Sequence, residues 1–132
     1  MNVAITRRRM LWLLVALGGA VGLARFARVP PFRDTARSPL EAVFGHPDSA
    51  RRIGEAYLSR YPQEADAALL RTRIAGSPED ATRVLDGMRG GELAGWVRDR
   101  QREDFRDGRT VVVDGWMLSS TEARLCALLS LE

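Results

Sequence analysis

The 132-residue sequence holds one cysteine and one histidine. A single cysteine excludes an intramolecular disulfide framework, and one of each excludes a zinc site built from cysteine and histidine. Lysine is missing: all 20 basic residues are arginine, which reads as high-GC codon bias. No acidic residue precedes Asp34. Long apolar runs are also missing. The uncharged stretch over residues 10–24 has 15 residues, short of the ~20 that a helix needs to span a hydrocarbon core.

What is there suits a small globular protein, since hydrophobic residues make up 45% and argue against wholesale disorder. The formal charge of +3 is unevenly placed. Arg7, Arg8 and Arg9 form a run near the start, and from residue 25 onward 17 arginines balance 17 acidic residues. The basic character therefore belongs to the N-terminal run. A nucleic-acid binder concentrates positive charge on one face. Here acids and arginines interleave, as in residues 99–107, and no nucleic-acid partner is expected.

A short basic region followed by a short apolar stretch has the plan of a secretory signal. Thr6, Arg7, Arg8, Arg9, Met10, Leu11 and Trp12 resemble the twin-arginine (Tat) export motif, S/T-R-R-x-F-L-K. Thr6, Arg7, Arg8 and Leu11 match it directly, Met10 stands for the usual Phe, and Trp12 stands where Lys is common. Gly18, Gly19 and Gly22 keep the apolar stretch weakly hydrophobic, which is also similar to Tat signals. The resemblance implies the Tat translocase as a partner and a periplasmic location. Gly22 and Ala24 give a small-x-small pattern, but Arg25, Phe26 and Arg28 follow, so cleavage and an uncleaved membrane anchor both stay open. Pro30 and Pro31 then stiffen a linker. The expected organisation is a signal or membrane anchor over 1–28, a linker over 29–37 and a small helical domain over 38–132.

Within that domain the spacing predicts a mainly α fold: a small bundle of five or six short helices with one C-terminal β-hairpin, preceded by the N-terminal signal or anchor helix. Ser38, Pro39 and Glu41 make a capping box and a first-turn proline, with Leu40, Val43 and Phe44 as a short apolar face. Asp48 is expected to cap the next helix, whose face carries Ala50, Ile53, Tyr57 and Tyr61. A weaker helical pattern covers 63–75. Ser77 and Asp80 restart the chain before the stripe Ala81, Val84, Leu85 and Met88. Leu93, Trp96, Val97 and Phe105 are expected to line a further helix. Thr110 with Val111, Val112 and Val113 favours a strand, Asp114 and Gly115 a tight turn, and Trp116, Met117 and Leu118 a return strand. Ser119 and Glu122 resemble a capping box, and the last helix is apolar around most of its girth, as buried helices are.

No catalytic constellation is visible, and the chain reads as a non-enzyme without a cofactor. His46 lies in an expected loop with no nucleophile or carboxylate placed beside it. Glu103 and Asp104 are adjacent, point about 100° apart on a helix, and read as surface charge. Gly87, Gly90 and Gly91 do not fit a phosphate-loop spacing. Ile53, Gly54 and Tyr57 echo one piece of a tetratricopeptide repeat, but no second copy exists. Cys126 reads as a small core residue, with an intermolecular redox role as the alternative. Trp116, Leu118 and Cys126 make the candidate partner interface, because a large aromatic beside a tight turn anchors interfaces.

In plan, a signal followed by a linker and a helical body resembles the small subunits that carry the Tat signal for FAD-dependent membrane dehydrogenases of the glucose–methanol–choline type. The resemblance implies a non-catalytic accessory subunit or export and maturation partner of a larger exported oxidoreductase, here a flavoprotein dehydrogenase. It carries over no catalytic, cofactor-binding or metal-binding residue. The alternative is a stand-alone, membrane-tethered periplasmic binding or scaffolding domain.

Overall fold

A computed structural model describes residues 38–132, which belong to one compact unit, Thr35–Glu132. The export residues Thr6, Arg7, Arg8, Met10 and Leu11, the expected anchor helix and the Pro-containing linker lie outside the described residues. The described residues are mainly helical and end in a two-stranded antiparallel hairpin followed by a helix. In chain order the α-helices are α1 (Pro47–Arg60), α2 (Ala67–Ala75), α3 (Pro78–Ala81), α4 (Gly90–Arg106) and α5 (Ser120–Leu131). The strands β1 (Thr110–Val113) and β2 (Trp116–Ser119) lie between α4 and α5.

The capping serines bond as expected at two helix starts, and Ser38 makes the same bond at a 3-10 turn whose own N-cap is Leu40. Ser38 Oγ accepts from the Glu41 N–H, Ser77 Oγ from Asp80 and Ser119 Oγ from Glu122. Each occupies a backbone donor that the helix start leaves without an intrahelical partner. Other boundaries differ from the sequence reading. The first segment is only a 3-10 turn, Glu41–Val43. The next helix starts at Pro47, so Asp48 sits inside its first turn instead of capping it. The pattern over 63–75 divides into a 3-10 turn, Pro62–Glu64, and α2, because Asp66 accepts from the Leu69 N–H and opens a new helix there. The stripe Ala81, Val84 and Leu85 is buried, but α3 passes directly into a π-turn, Thr82–Gly87.

α5 is the central element. Thr121, Ala123, Leu125, Cys126, Ala127, Leu128 and Leu129 are all buried, and the helix packs on α1, α2 and α4. Burying a leucine fully contributes about 1.5–3 kcal/mol, so Leu125, Leu128 and Leu129 are a large share of the core. The closest approach is to α1 at Gly54. A Cβ built on Gly54 would overlap the carbonyl group of Cys126, so only glycine lets the two backbones meet there. Gly54, read from sequence as part of a rejected repeat echo, is thus a helix-contact residue.

Candidate functional site

The hairpin and its supports form the most distinctive surface. Asp114 and Gly115 take φ of 50° and 82°, as a two-residue turn with positive φ at both positions requires. The register pairs Val113 with Trp116, Val112 with Met117, Val111 with Leu118 and Thr110 with Ser119. Val113 turns into the core, Ser119 is fully buried and Leu118 is half-buried against the core. Toward the tip the side chains leave the core: Trp116 is 71% exposed, Met117 63% and Val112 46%.

The base of this hairpin is fixed by Asp104. Its Oδ1 accepts from Arg109 Nε at 2.8 Å and its Oδ2 from the Thr121 N–H at 2.8 Å. One carboxylate therefore joins the end of α4, the entry to β1 and the first turn of α5. Burial alone would raise the Asp104 pKa. The bonds from Thr121 and Arg109, together with the Arg109 charge, outweigh burial and hold the carboxyl below its ordinary value. Asp104 is 2% exposed, which corrects its reading as surface charge. Helical phase explains the correction: Leu93, Val97 and Asp104 share one face of α4. Phe105, one position off that face, is 49% exposed and does not line the core. From α1, Arg60 Nη1 donates to the Val112 carbonyl at 3.2 Å and covers part of the open edge of β1.

A second buried carboxylate, Glu64, gave no sequence signal. Tyr57 Oη donates to its Oε2 at 2.8 Å, and Arg124 donates to both oxygens, Nε at 3.0 Å and Nη2 at 3.2 Å. Arg73 Nη1 lies 3.2 Å from Oε1. Burial would raise the Glu64 pKa, but the bonds from Arg124 and Tyr57 and the two guanidinium charges lower it overall. Burial, with the bond to Glu64, pushes the Tyr57 phenol up to about 12. The cluster ties α1, the 3-10 turn, α2 and α5 together on the core side, so its role is structural.

The structure separates the three residues of the sequence-based interface. Trp116 and Leu118 share one face of the hairpin, and the exposed pair Met117 and Val112 lies on its other face. Cys126 is excluded from that surface, because α5 buries it to 3% exposure. Burial, then the nearby Glu122 charge, pushes its thiol up to about 12, which keeps it protonated and unreactive. His46 is exposed at the entry to α1 and its side chain caps nothing. Among the described residues no group of three His, Cys, Asp or Glu could hold a metal ion, and no helix is long and apolar enough to cross a membrane.

No family model matches this chain. Comparison with curated proteins and with solved structures likewise finds no match. What the site can do therefore rests on its own chemistry. A rigid base carries an exposed aromatic, a thioether and a β-branched side chain on a tight turn.

Proposed function

We propose that this chain is a non-catalytic accessory subunit, or export and maturation partner, of a larger Tat-exported oxidoreductase, and that the hairpin tip is where it docks. The observation that carries the reading is the exposure of Trp116 at 71% on one face of β2 and of Met117 at 63% on the other, on a hairpin held by Asp104 and Arg60. Large exposed aromatics concentrate the energy of protein interfaces. The twin-arginine run at Arg7 and Arg8 supports the export half of the proposal, and the periplasm is the compartment it implies. A flavoprotein dehydrogenase is the partner class suggested by the signal, linker and helical body. The test is co-purification from the native host. Wild-type chain carrying a C-terminal tag is expected to retain a stoichiometric cofactor enzyme that a Trp116→Ala, Met117→Ser chain loses. Equal recovery with both chains would remove the hairpin tip as the docking site.

The second reading is a stand-alone, membrane-tethered periplasmic binding domain. A cavity of about 200 Å³ beside Glu122 favours it. Recovery of the chain alone, as a folded monomer in the envelope, would select it over the subunit reading.

A further inference from the structure

Six acidic side chains of the described residues are buried or half-buried: Glu41, Glu64, Asp80, Glu103, Asp104 and Glu122. Five of them pair with arginine: Glu41 with Arg51, Glu64 with Arg124, Asp80 with Arg83, Glu103 with Arg100 and Asp104 with Arg109. Glu122 differs. Its burial raises its pKa, the backbone N–H of Ser119 lowers it in part, and among the described residues no guanidinium pairs with it. The Ser119 N–H and the helix start compensate Glu122 in part, yet it alone of the six has no guanidinium partner. Burying a charge is costly unless an opposite charge and hydrogen bonds compensate.

Glu122 lines a cavity between the 3-10 turn Glu41–Val43, α4 and α5. Val43, Phe44, Val97 and Leu125 make its apolar wall, and Gln101 supplies a neutral polar group. Gly45 leaves open space at the rim, since a Cβ there would meet nothing within 4 Å. Arg98, exposed to solvent, also lines the cavity and makes no ion pair with Glu122. The volume is about 200 Å³, whereas an apolar cavity of about 150 Å³ accommodates benzene. A bare metal ion suits the cavity poorly, because hard cations take roughly six or more oxygen ligands and only Glu122 and Gln101 offer side-chain oxygens here.

We propose that this cavity binds a primary alkylammonium group, with Glu122 as its counter-ion, Gln101 as a neutral hydrogen-bonding neighbour and Val43, Phe44, Val97 and Leu125 around its apolar stem. The chemistry has two sources: a free small amine, or the side chain of a lysine on a docked protein. The chain carries no lysine of its own. This inference deepens the binding-domain reading, which rests on the same cavity, and is independent of the subunit reading and of the hairpin tip.

The experiment titrates n-butylammonium into the full-length chain in detergent micelles and follows backbone amide resonances. Saturable shifts are expected at Phe44, Gln101 and Glu122. Neutral n-butanol and the anion butyrate should bind at least about tenfold more weakly. Glu122→Gln should weaken n-butylammonium binding by at least about tenfold while folding normally, because Gln at this position preserves the capping box. Absence of saturable shifts would overturn the proposal, as would equal binding of butanol or equal binding by a folded Glu122→Gln chain. A captured partner protein that n-butylammonium displaces identifies lysine as the source. With no such displacement, saturable binding of the free amine identifies a small ligand.

Discussion

Gly54 decides how closely α1 and α5 approach. On helix propensity alone, Gly54→Ala would stabilise α1 by about 1 kcal/mol. The overlap with the Cys126 carbonyl reverses the sign, and a loss of more than about 3 kcal/mol is expected in urea unfolding. A stability gain would mean the helices do not meet there. Arg124→Met leaves Glu64 with Tyr57 and Arg73, so urea unfolding is expected to show a loss of about 2 kcal/mol, less than for a buried charge left wholly unpaired. Glu64 and Asp104 both have lowered pKa values in the folded chain. The unfolded chain therefore takes up their protons first as pH falls. Their stabilisation is fully present above the ordinary carboxylate range, near pH 4, and is lost as pH falls below it toward the folded-state values. Asp104→Asn is expected to flatten the acid limb of a stability–pH curve, and an unchanged limb would contradict the role given to Asp104. Neither carboxylate was legible as a core group. Glu64 lies among Pro62, Gln63 and Ala65 with no periodic neighbour, and its partners come from residues up to 60 positions away. Asp104 was legible in principle, because it falls on the Leu93 and Val97 face, but the surrounding run of charges conceals it.

The hairpin and α5 were the most legible elements because their signals are local. Asp114 with Gly115 fixes the turn, the valines favour extension, and Ser119 with Glu122 marks the restart of the helix. The segment between α1 and α4 was less legible. Its caps at Asp66 and Ser77 lie only 11 positions apart, and a π-turn extends α3 beyond its own four residues. Exposure of the hairpin tip could not be read from the sequence. Period-two alternation says which residues share a face, not that the strands outrun the core behind them. Trp116→Ala is therefore expected to change unfolding free energy by no more than about 0.5 kcal/mol, like other exposed positions. A large loss in thermal or urea unfolding would show that the indole supports the fold of the isolated chain.

Taken as one molecule, the described residues form a small helical core with an apolar hairpin tip at its surface and a carboxylate-lined cavity elsewhere. The proposed role joins that body to the N-terminal arginine run. It requires the chain to travel with a larger enzyme. The most direct measurement places Arg7→Lys with Arg8→Lys in the native host and follows both this chain and its stoichiometric partner by cell fractionation. Both proteins are expected to accumulate in the cytoplasm, and the partner's activity to vanish from the envelope. Normal export of the double variant would contradict the twin-arginine assignment. Retention of the chain while every partner reaches the envelope normally would contradict the accessory-subunit role.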